Sequence, residues 1–428
     1  MGSPSGSILR MLFLKTISST VLLLTLFAAQ AKAQDLPNDA TGFKVGDGRL
    51  HPYLQVDSRF VANPGRQSGG GTNDVVLVAR PGLDFVLPSD ALDFKLNGDV
   101  EWRQYMNVGD EDTSKLSTLM GQAALDAQIN KQGAVGFGLH ERFQRTADPG
   151  NQTVTARLLR VTNDAGLGID LRPGGGALVF SPSYNFIYER YDRPESEADP
   201  GTYLQDPENL DSMTHLPKLR ASWKFLPKTA LFVEAEGQLT VYPNAAVDTN
   251  VDTNIFLAQV GAAGSVTQKI ALLLKAGYGG TFISADNLGA DANFNSVVGQ
   301  AEFNYLASET MRFRAGALRT VKATPLFKYF DLVRGYVGYD QTFGAFQVGA
   351  KLSYDYMIFA TAVSGPTSDR NDGNFQAELS LAYRATEWLT VSLTERADSR
   401  SSDYSAGADS PQFDYFMNDL FLRISARY

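Results

Sequence analysis

The sequence predicts an all-β fold: a transmembrane antiparallel β-barrel of about eighteen strands, with short periplasmic turns and longer extracellular loops. Three observations lead there. Apolar and polar residues alternate with a period of two almost to the last residue. The connections between alternating segments are short and long in turn. After residue 33 no stretch approaches eighteen consecutive apolar residues, so helical spans are excluded beyond that point.

Composition narrows the classes. The chain has 428 residues, 47 acidic and 38 basic side chains, and a formal charge of −9. It has no cysteine, which excludes a disulfide scaffold and thiolate metal sites. Aromatics make up 11%, too many for a disordered chain. The acidic balance argues against general nucleic-acid binding, which needs a basic face. The mean hydropathy of −0.18 resembles that of a soluble protein. It is equally compatible with a membrane barrel, whose strands are only half apolar.

The N-terminus reads as an address label. Arg10 and Lys15 supply positive charge, Leu12 to Leu14 and Thr16 to Ala29 are mostly apolar, and Ala31-Lys32-Ala33 is a small-x-small cleavage pattern. This predicts a secretory signal peptide over 1–33. Thr16, Ser18, Ser19 and Thr20 dilute the apolar run, which weakens the alternative of a membrane anchor. A periplasmic segment over 34–49 and a barrel over 50–428 complete the expected organisation.

The segment 91–106 sets the pattern. Leu92, Phe94, Leu96, Gly98, Val100 and Trp102 alternate with Asp93, Lys95, Asn97, Asp99, Glu101 and Arg103. Such a segment is a strand with a different solvent on each side; a helix would put Asp93, Leu96 and Val100 on one stripe. Leu219, Ala221, Trp223 and Phe225 repeat the pattern against Lys218, Arg220, Ser222 and Lys224. So do Leu231, Val233 and Ala235 against Glu234 and Glu236, and Leu352, Tyr354 and Tyr356 against Lys351, Ser353 and Asp355. The predicted strands are 50–61, 74–87, 91–106, 116–129, 134–146, 153–171, 177–191, 214–226 and 230–242. They continue as 254–266, 270–284, 294–306, 310–322, 327–342, 345–360, 374–385, 388–398 and 412–428. Short turns such as Pro88-Ser89-Asp90, Phe343-Gly344 and Thr386-Glu387 alternate with loops at 62–73, 107–115, 147–152, 192–213, 243–253, 285–293, 323–326, 361–373 and 399–411. Only 323–326 is no longer than a turn. An even strand number with both ends on the short-turn side is the layout of an outer-membrane barrel.

A soluble sandwich has half-apolar strands too, so the membrane needs its own argument. The strands are about twelve to sixteen residues long, where a tilted span needs roughly nine to eleven. Tyr53, Phe60, Phe85, Trp102, Tyr188, Trp223, Phe225, Tyr305, Tyr356, Tyr383 and Trp388 sit near strand ends, where interfacial girdles place aromatic rings. In hydrocarbon an unpaired strand edge costs several kcal/mol per group, so the last strand must close on the first. The C-terminal segment alternates Leu420, Leu422, Ile424, Ala426 and Tyr428 with Phe421, Arg423, Ser425 and Arg427. Leu422, Ile424 and terminal Tyr428 resemble the insertion signal read by barrel assembly machinery.

The mature chain also resembles the β-barrel porins found in exopolysaccharide export loci of Gram-negative bacteria. The resemblance rests on Val45-Gly46-Asp47-Gly48-Arg49-Leu50-His51-Pro52-Tyr53 and on the Pro243-Asn244-Ala245 loop. It implies an outer-membrane barrel working with a periplasmic polysaccharide export protein, and it carries over no catalytic residue.

No enzyme chemistry is expected. His51, His140 and His215 lie far apart, and a metal site would need them to converge with carboxylates. Gly136-Phe137-Gly138, Gly166-Leu167-Gly168 and Gly277-Tyr278-Gly279-Gly280 open no helix and lack a Walker lysine, so they read as wall glycines. There is no Gly-x-Ser-x-Gly elbow. The loop acids Glu195, Glu197, Asp199, Asp248, Asp252, Asp286 and Asp291 read as hydrated, with Ca²⁺ or lipopolysaccharide bridging as the alternative. No cofactor and no metal are expected.

The informative chemistry is the inward face. Residues at i and i+2 share a face, which groups Asp93 with Lys95, Asp99 with Glu101 and Arg103, Lys218 with Arg220, Glu234 with Glu236, and Arg312 with Arg314. Lys351 with Asp355, and Arg423 with Arg427, follow at i+4. These are the expected pore-lining residues. Inward aromatics are scattered (Tyr105, Tyr242, Phe330 and Tyr336), unlike the continuous track of a sugar porin. The expected function is an outer-membrane pore that exports a polysaccharide. The first alternative is a general or solute-selective diffusion porin, and the second is a secreted soluble β-protein.

Overall fold

The computed structural model describes residues 42–89, 91–148, 158–192, 207–245, 252–283, 293–325, 327–360, 370–404 and 413–428. The expected signal peptide, and the acids Glu195, Glu197, Asp199, Asp248, Asp286 and Asp291, lie outside these residues. The strands are β1 (Phe43–Val45), β2 (Gly48–Ala62), β3 (Asn73–Leu87), β4 (Leu92–Tyr105), β5 (Thr118–Ile129) and β6 (Val135–Thr146). Then come β7 (Leu159–Leu171), β8 (Leu178–Asp192), β9 (Ser212–Leu226), β10 (Thr229–Val241), β11 (Thr253–Ser265) and β12 (Ile270–Ile283). The last are β13 (Asn295–Ser308), β14 (Met311–Ala323), β15 (Tyr329–Phe343), β16 (Phe346–Phe359), β17 (Arg370–Arg384), β18 (Leu389–Ser402) and β19 (Tyr415–Arg427).

From β2 onward each strand pairs antiparallel with the next, and β19 closes on β2 with Arg427 opposite Tyr53, Ile424 opposite Val56 and Asn418 opposite Ala62. The result is a closed barrel of eighteen strands. β1 is an addition that alternation does not reveal. It folds back on β2 through Gly46-Asp47, with Val45 opposite Gly48. Gly46 has φ 61°, the left-handed region a two-residue hairpin needs. Two strands run further into their loops than expected: β17 begins at Arg370, and β18 reaches Ser402.

The face predicted to meet lipid is turned outward and is apolar. Leu54, Trp102, Leu139, Leu219, Val260, Leu274, Val337, Leu352, Leu422 and Ile424 are all exposed there. Aromatic side chains gather near the short-turn end: Phe303, Tyr305, Phe313 and Tyr339 form a chain of ring contacts at 5.0–6.4 Å. Tyr53 departs from the predicted girdle. Its position opposite Gly82 puts it inside, where its hydroxyl donates to Asp99 at 3.0 Å. Val337 sits mid-strand on the apolar face. Val337→Arg is expected to destabilise the barrel by about 2–4 kcal/mol, measured by urea unfolding in lipid vesicles.

The long-loop end of the lumen is packed, which the expected polar lumen did not include. Val61, Val76, Val78 and Tyr105 form one inward apolar cluster, covered by Leu116 and Met417. Phe327, Phe330, Leu332, Met357 and Phe359 form another, with Tyr404 against it. A third arises because the end of β14 parts from β13 and curls inward, with β15 still paired to β16. β13 and β14 pair only from Gly299–Arg319 downward. Above that point Val321, Ala323 and Tyr329 pack on Ile255, Phe294 and Val298, and Thr253 donates to the Lys328 carbonyl at 2.9 Å. Thr324, Phe327 and Lys328, beside that tip, are buried as it tucks inward. On a barrel wide enough for water, these clusters narrow the extracellular half.

Candidate functional site

Below the apolar clusters the inner wall is a lattice of ion pairs, built by strand alternation and register. The fifteen charged residues expected to line a pore all sit on the side opposite the exposed apolar residues. On β4, Asp93 accepts from Lys131 at 2.9 Å, and Asp99 accepts from Gln122 at 2.8 Å. Lys95 lies opposite Asp126. Glu101 pairs with Arg80 and, at 2.7 Å, with Arg103, which also reaches Asp148 at 2.8 Å. Glu234 on β10 takes Lys218 at 3.1 Å, Arg220 at 3.5 Å and Lys275 at 3.3 Å, while Glu236 shares Lys218.

Across the lumen, Arg314 pairs with Asp340 at 2.5 Å and Arg312 lies opposite the same acid. Asp355 holds Arg334 at 2.5 Å and Lys351 holds Glu378 at 2.9 Å. Arg423 makes two bonds to Asp57, at 2.7 and 2.8 Å, and Arg427 reaches Asp84 at 3.1 Å. Leu422, Ile424 and Tyr428 are exposed on the outer face. Tyr428 packs at a tilt against Phe43 with ring centres 4.9 Å apart, its N–H donates to the Pro52 carbonyl, and its carbonyl lies 3.1 Å from His51 Nδ1.

Two constellations escaped the sequence reading. The first surrounds Phe421, an inward ring on β19 that is 2% exposed and carries Arg59 at 4.7 Å, Arg396 at 5.1 Å and Arg423 at 5.3 Å over it. The second is a staple at the long-loop mouth. Fully buried Asp372 binds Arg370 at 2.7 Å and also Arg400. The Arg370 guanidinium lies 3.5 Å from the Phe413 ring centre, 4.2 Å from Phe359 and 5.2 Å from Phe327. At the rim, burial pushes the Asp211 carboxyl up, against bonds from the Tyr191 N–H at 2.8 Å and the Asn244 amide at 2.9 Å.

The histidines do not converge. His51 is at the short-turn end, His140 is in the lumen beside Asp164 and Asn185, and His215 contacts Tyr184 on the outside. Among the described residues no group of three or more His, Cys, Asp or Glu is placed to hold a metal. The glycine pairs lie inside β6, β7 and β12. Gly277 is the tightest, since a Cβ there would strike the Ala258 backbone on the neighbouring strand.

A half-open space of about 480 Å³ lies in the lumen and reaches from mid-wall up to Pro64, Gly65 and Arg66. Arg59, Val76, Arg103 and Tyr105 line it from β2–β4, and Arg314, Tyr336, Lys351, Glu378, Arg396 and Asp419 from β14–β19. Arg103 and Arg314, from opposite walls, face the same cavity.

A family model described as "Putative beta-barrel porin 2" matches residues 36–412. A search of curated proteins found no match. Solved structures similar to this chain include OccAB4 of Acinetobacter baumannii, at 11% identity and TM-score 0.45, covering 92% of this chain and 100% of that one. OpdK of Pseudomonas aeruginosa with vanillate is 11% identical at TM-score 0.45, covering 89% and 99%. OccK3 (OpdO) of the same organism is 9% identical at TM-score 0.43, covering 89% and 95%. Likeness at this level says nothing of a substrate.

Proposed function

Because the chain belongs to the putative beta-barrel porin 2 family, and is an outer-membrane multi-pass barrel, we propose that it is a solute-selective diffusion channel for small charged molecules. The observation that carries this reading is the lumen cavity. Its volume of about 480 Å³ falls in the range of small-molecule sites. Its walls present paired cations and acids from both sides, so a passing solute exchanges partners with the lattice instead of meeting one fixed charge. The Val61–Val76–Tyr105 cluster lines the cavity itself, and nearer the mouth stand the Phe327–Phe359 cluster and the Arg370–Asp372–Arg400 staple.

Polysaccharide export, the first expectation from the sequence, is less well supported. A continuous polymer would have to displace those clusters, and the family description names a porin. The alternative drawn from the same sequence, a diffusion porin, fits better. The same family and fold argue for a channel over an enzyme.

Purified barrel in planar bilayers is expected to conduct without any partner, with small steps. Liposomes containing it should swell in small charged solutes but not in a polysaccharide of many units. A channel that stays silent alone, or liposomes that swell in the polysaccharide, would overturn the reading.

A further inference from the structure

The outer face holds two pairs of side chains that hydrocarbon cannot satisfy. Glu141 on β6 lies between exposed Leu139 and Phe143, opposite Leu125 on β5 and Ala165 on β7. The register therefore turns it outward, where the amide of Asn163 donates to its Oε1. Glu395 on β18 lies opposite Leu379 and exposed Leu420, and is outward too. The amide of Asn418 donates to its Oε1 at 3.4 Å. Both glutamates are half-buried. Each stands six residues above the short-turn end of its strand, at Val135 and Leu389. On tilted strands that is about 15 Å, near the middle of an apolar band about 25 Å tall.

A carboxyl at that depth is costly and demands partners. The neighbouring asparagine occupies one oxygen, and the other accepts no hydrogen bond from the described residues. Lipid tails donate no hydrogen bond, and lumen water lies on the other side of the wall. The outward ion pair between β14 and β15, Arg319 with Asp331 at 2.7 Å, lies where those strands turn inward and Asp331 is buried. Glu141 and Glu395 have no such cover.

We propose that Glu141–Asn163 on β6–β7 and Glu395–Asn418 on β18–β19 are subunit contacts, occupied by a second copy of this chain. Two features select that occupant. A carboxyl beside a primary amide offers both an acceptor and donors, so each patch complements another copy of itself or of its fellow. The Glu395 patch is also flanked by small outward residues, Ala377 and Ala397, which let two walls approach closely.

The chain has no native cysteine, so an introduced thiol reports only its own neighbours. Leu139→Cys and Leu393→Cys sit beside the two glutamates, while Val260→Cys lies on the outer face of β11, away from both. In isolated outer membranes a short bis-maleimide is expected to crosslink the first two, each alone or the two variants co-expressed, severalfold more than the third. Light scattering in mild detergent should show the native chain as an oligomer and the Glu141→Leu, Glu395→Leu double variant as a heat-modifiable monomer. Equal crosslinking at all three positions, or a native chain that is monomeric, would overturn the proposal. Retention of the native mass by a correctly folded double variant would do the same. The cysteine variants keep both glutamates, so the crosslinking result stands even if the double variant fails to assemble.

Discussion

Replacing Asp372 by alanine is expected to cost the barrel about 3–5 kcal/mol and to raise its conductance together. The cost follows from burial. Asp372 and Arg370 are both fully buried, and Arg400 is 5% exposed. Removing one member of a buried pair strands the other charge, and that penalty exceeds what the intact pair contributes. Here one carboxylate is shared by two guanidiniums, so its loss removes a buried counter-charge from both Arg370 and Arg400 among Phe327, Phe359 and Phe413. The arginines are then expected to swing toward water, which means into the lumen and away from those rings. Phe413 belongs to the segment leading into β19, and Phe327 to the inward-tucked tip between β14 and β15. Both lose their anchor together, and the mouth widens. The check is the urea midpoint of the barrel in vesicles, alongside single-channel conductance. Asp372→Asn should fall between native and alanine, because the amide keeps hydrogen bonding without the charge. Phe413→Leu should loosen the ring contact at much smaller cost. A native midpoint and native conductance in Asp372→Ala would show that the staple does not hold the mouth.

The staple also shows where the sequence ceased to be legible. Inside the hydrocarbon, lipid imposes an apolar residue at every second position, so β2 to β6 and β8 to β16 could be placed to within about two residues. Above the hydrocarbon the outer face loses that constraint. Asn371, Gly373, Ser399 and Ser401 are outward positions that no longer need to be apolar, so Arg370 to Gly373 and Ser399 to Ser402 read as loops. Their inward neighbours Asp372 and Arg400 were lost with them. The inward apolar clusters were hidden differently. Val75-Val76-Leu77-Val78 and Met357-Ile358-Phe359 are runs without alternation, and such a run does not say which members face lipid until register is known. Those broken alternations were the available signal. Partner choice was beyond reach, because it depends on closure: Asp57 meets Arg423 only since the last strand pairs with the first. The charged inner face itself was legible, because each charge sits between two lipid-facing neighbours.

Glu234→Gln is expected to shift the channel toward anions. Lys218 and Arg220 from β9 and Lys275 from β12 converge on this one carboxylate, which is 4% exposed, while the cations are 19–34% exposed and so partly open to the lumen. Counting Glu236, the cluster carries three positive and two negative charges. The substitution removes one negative charge and keeps the side chain's shape. At about 8 Å through water, a unit charge is worth about 0.5 kcal/mol, or about a twofold change in anion-to-cation permeability. A solute with two negative charges should feel about fourfold. The reversal potential under a salt gradient measures this directly. The shift should shrink as ionic strength rises, because the screening length at 0.1 M salt is only about 10 Å. Glu234→Lys should double the shift, since it moves the local charge by two units in place of one. Glu234→Leu carries a further consequence, because it removes the hydrogen bonds as well as the charge. Arg220 then keeps its stacking on Phe232, at 3.8 Å, and its bond to Ser222, while Lys218 keeps Glu236 and Lys275 is left without its acid. That variant should therefore unfold at lower urea than Glu234→Gln while showing a similar selectivity. If Glu234→Gln conducts normally with an unchanged reversal potential, the β9–β12 wall lies apart from the solute's route, and selection belongs to the arginines around Phe421 on the opposite side.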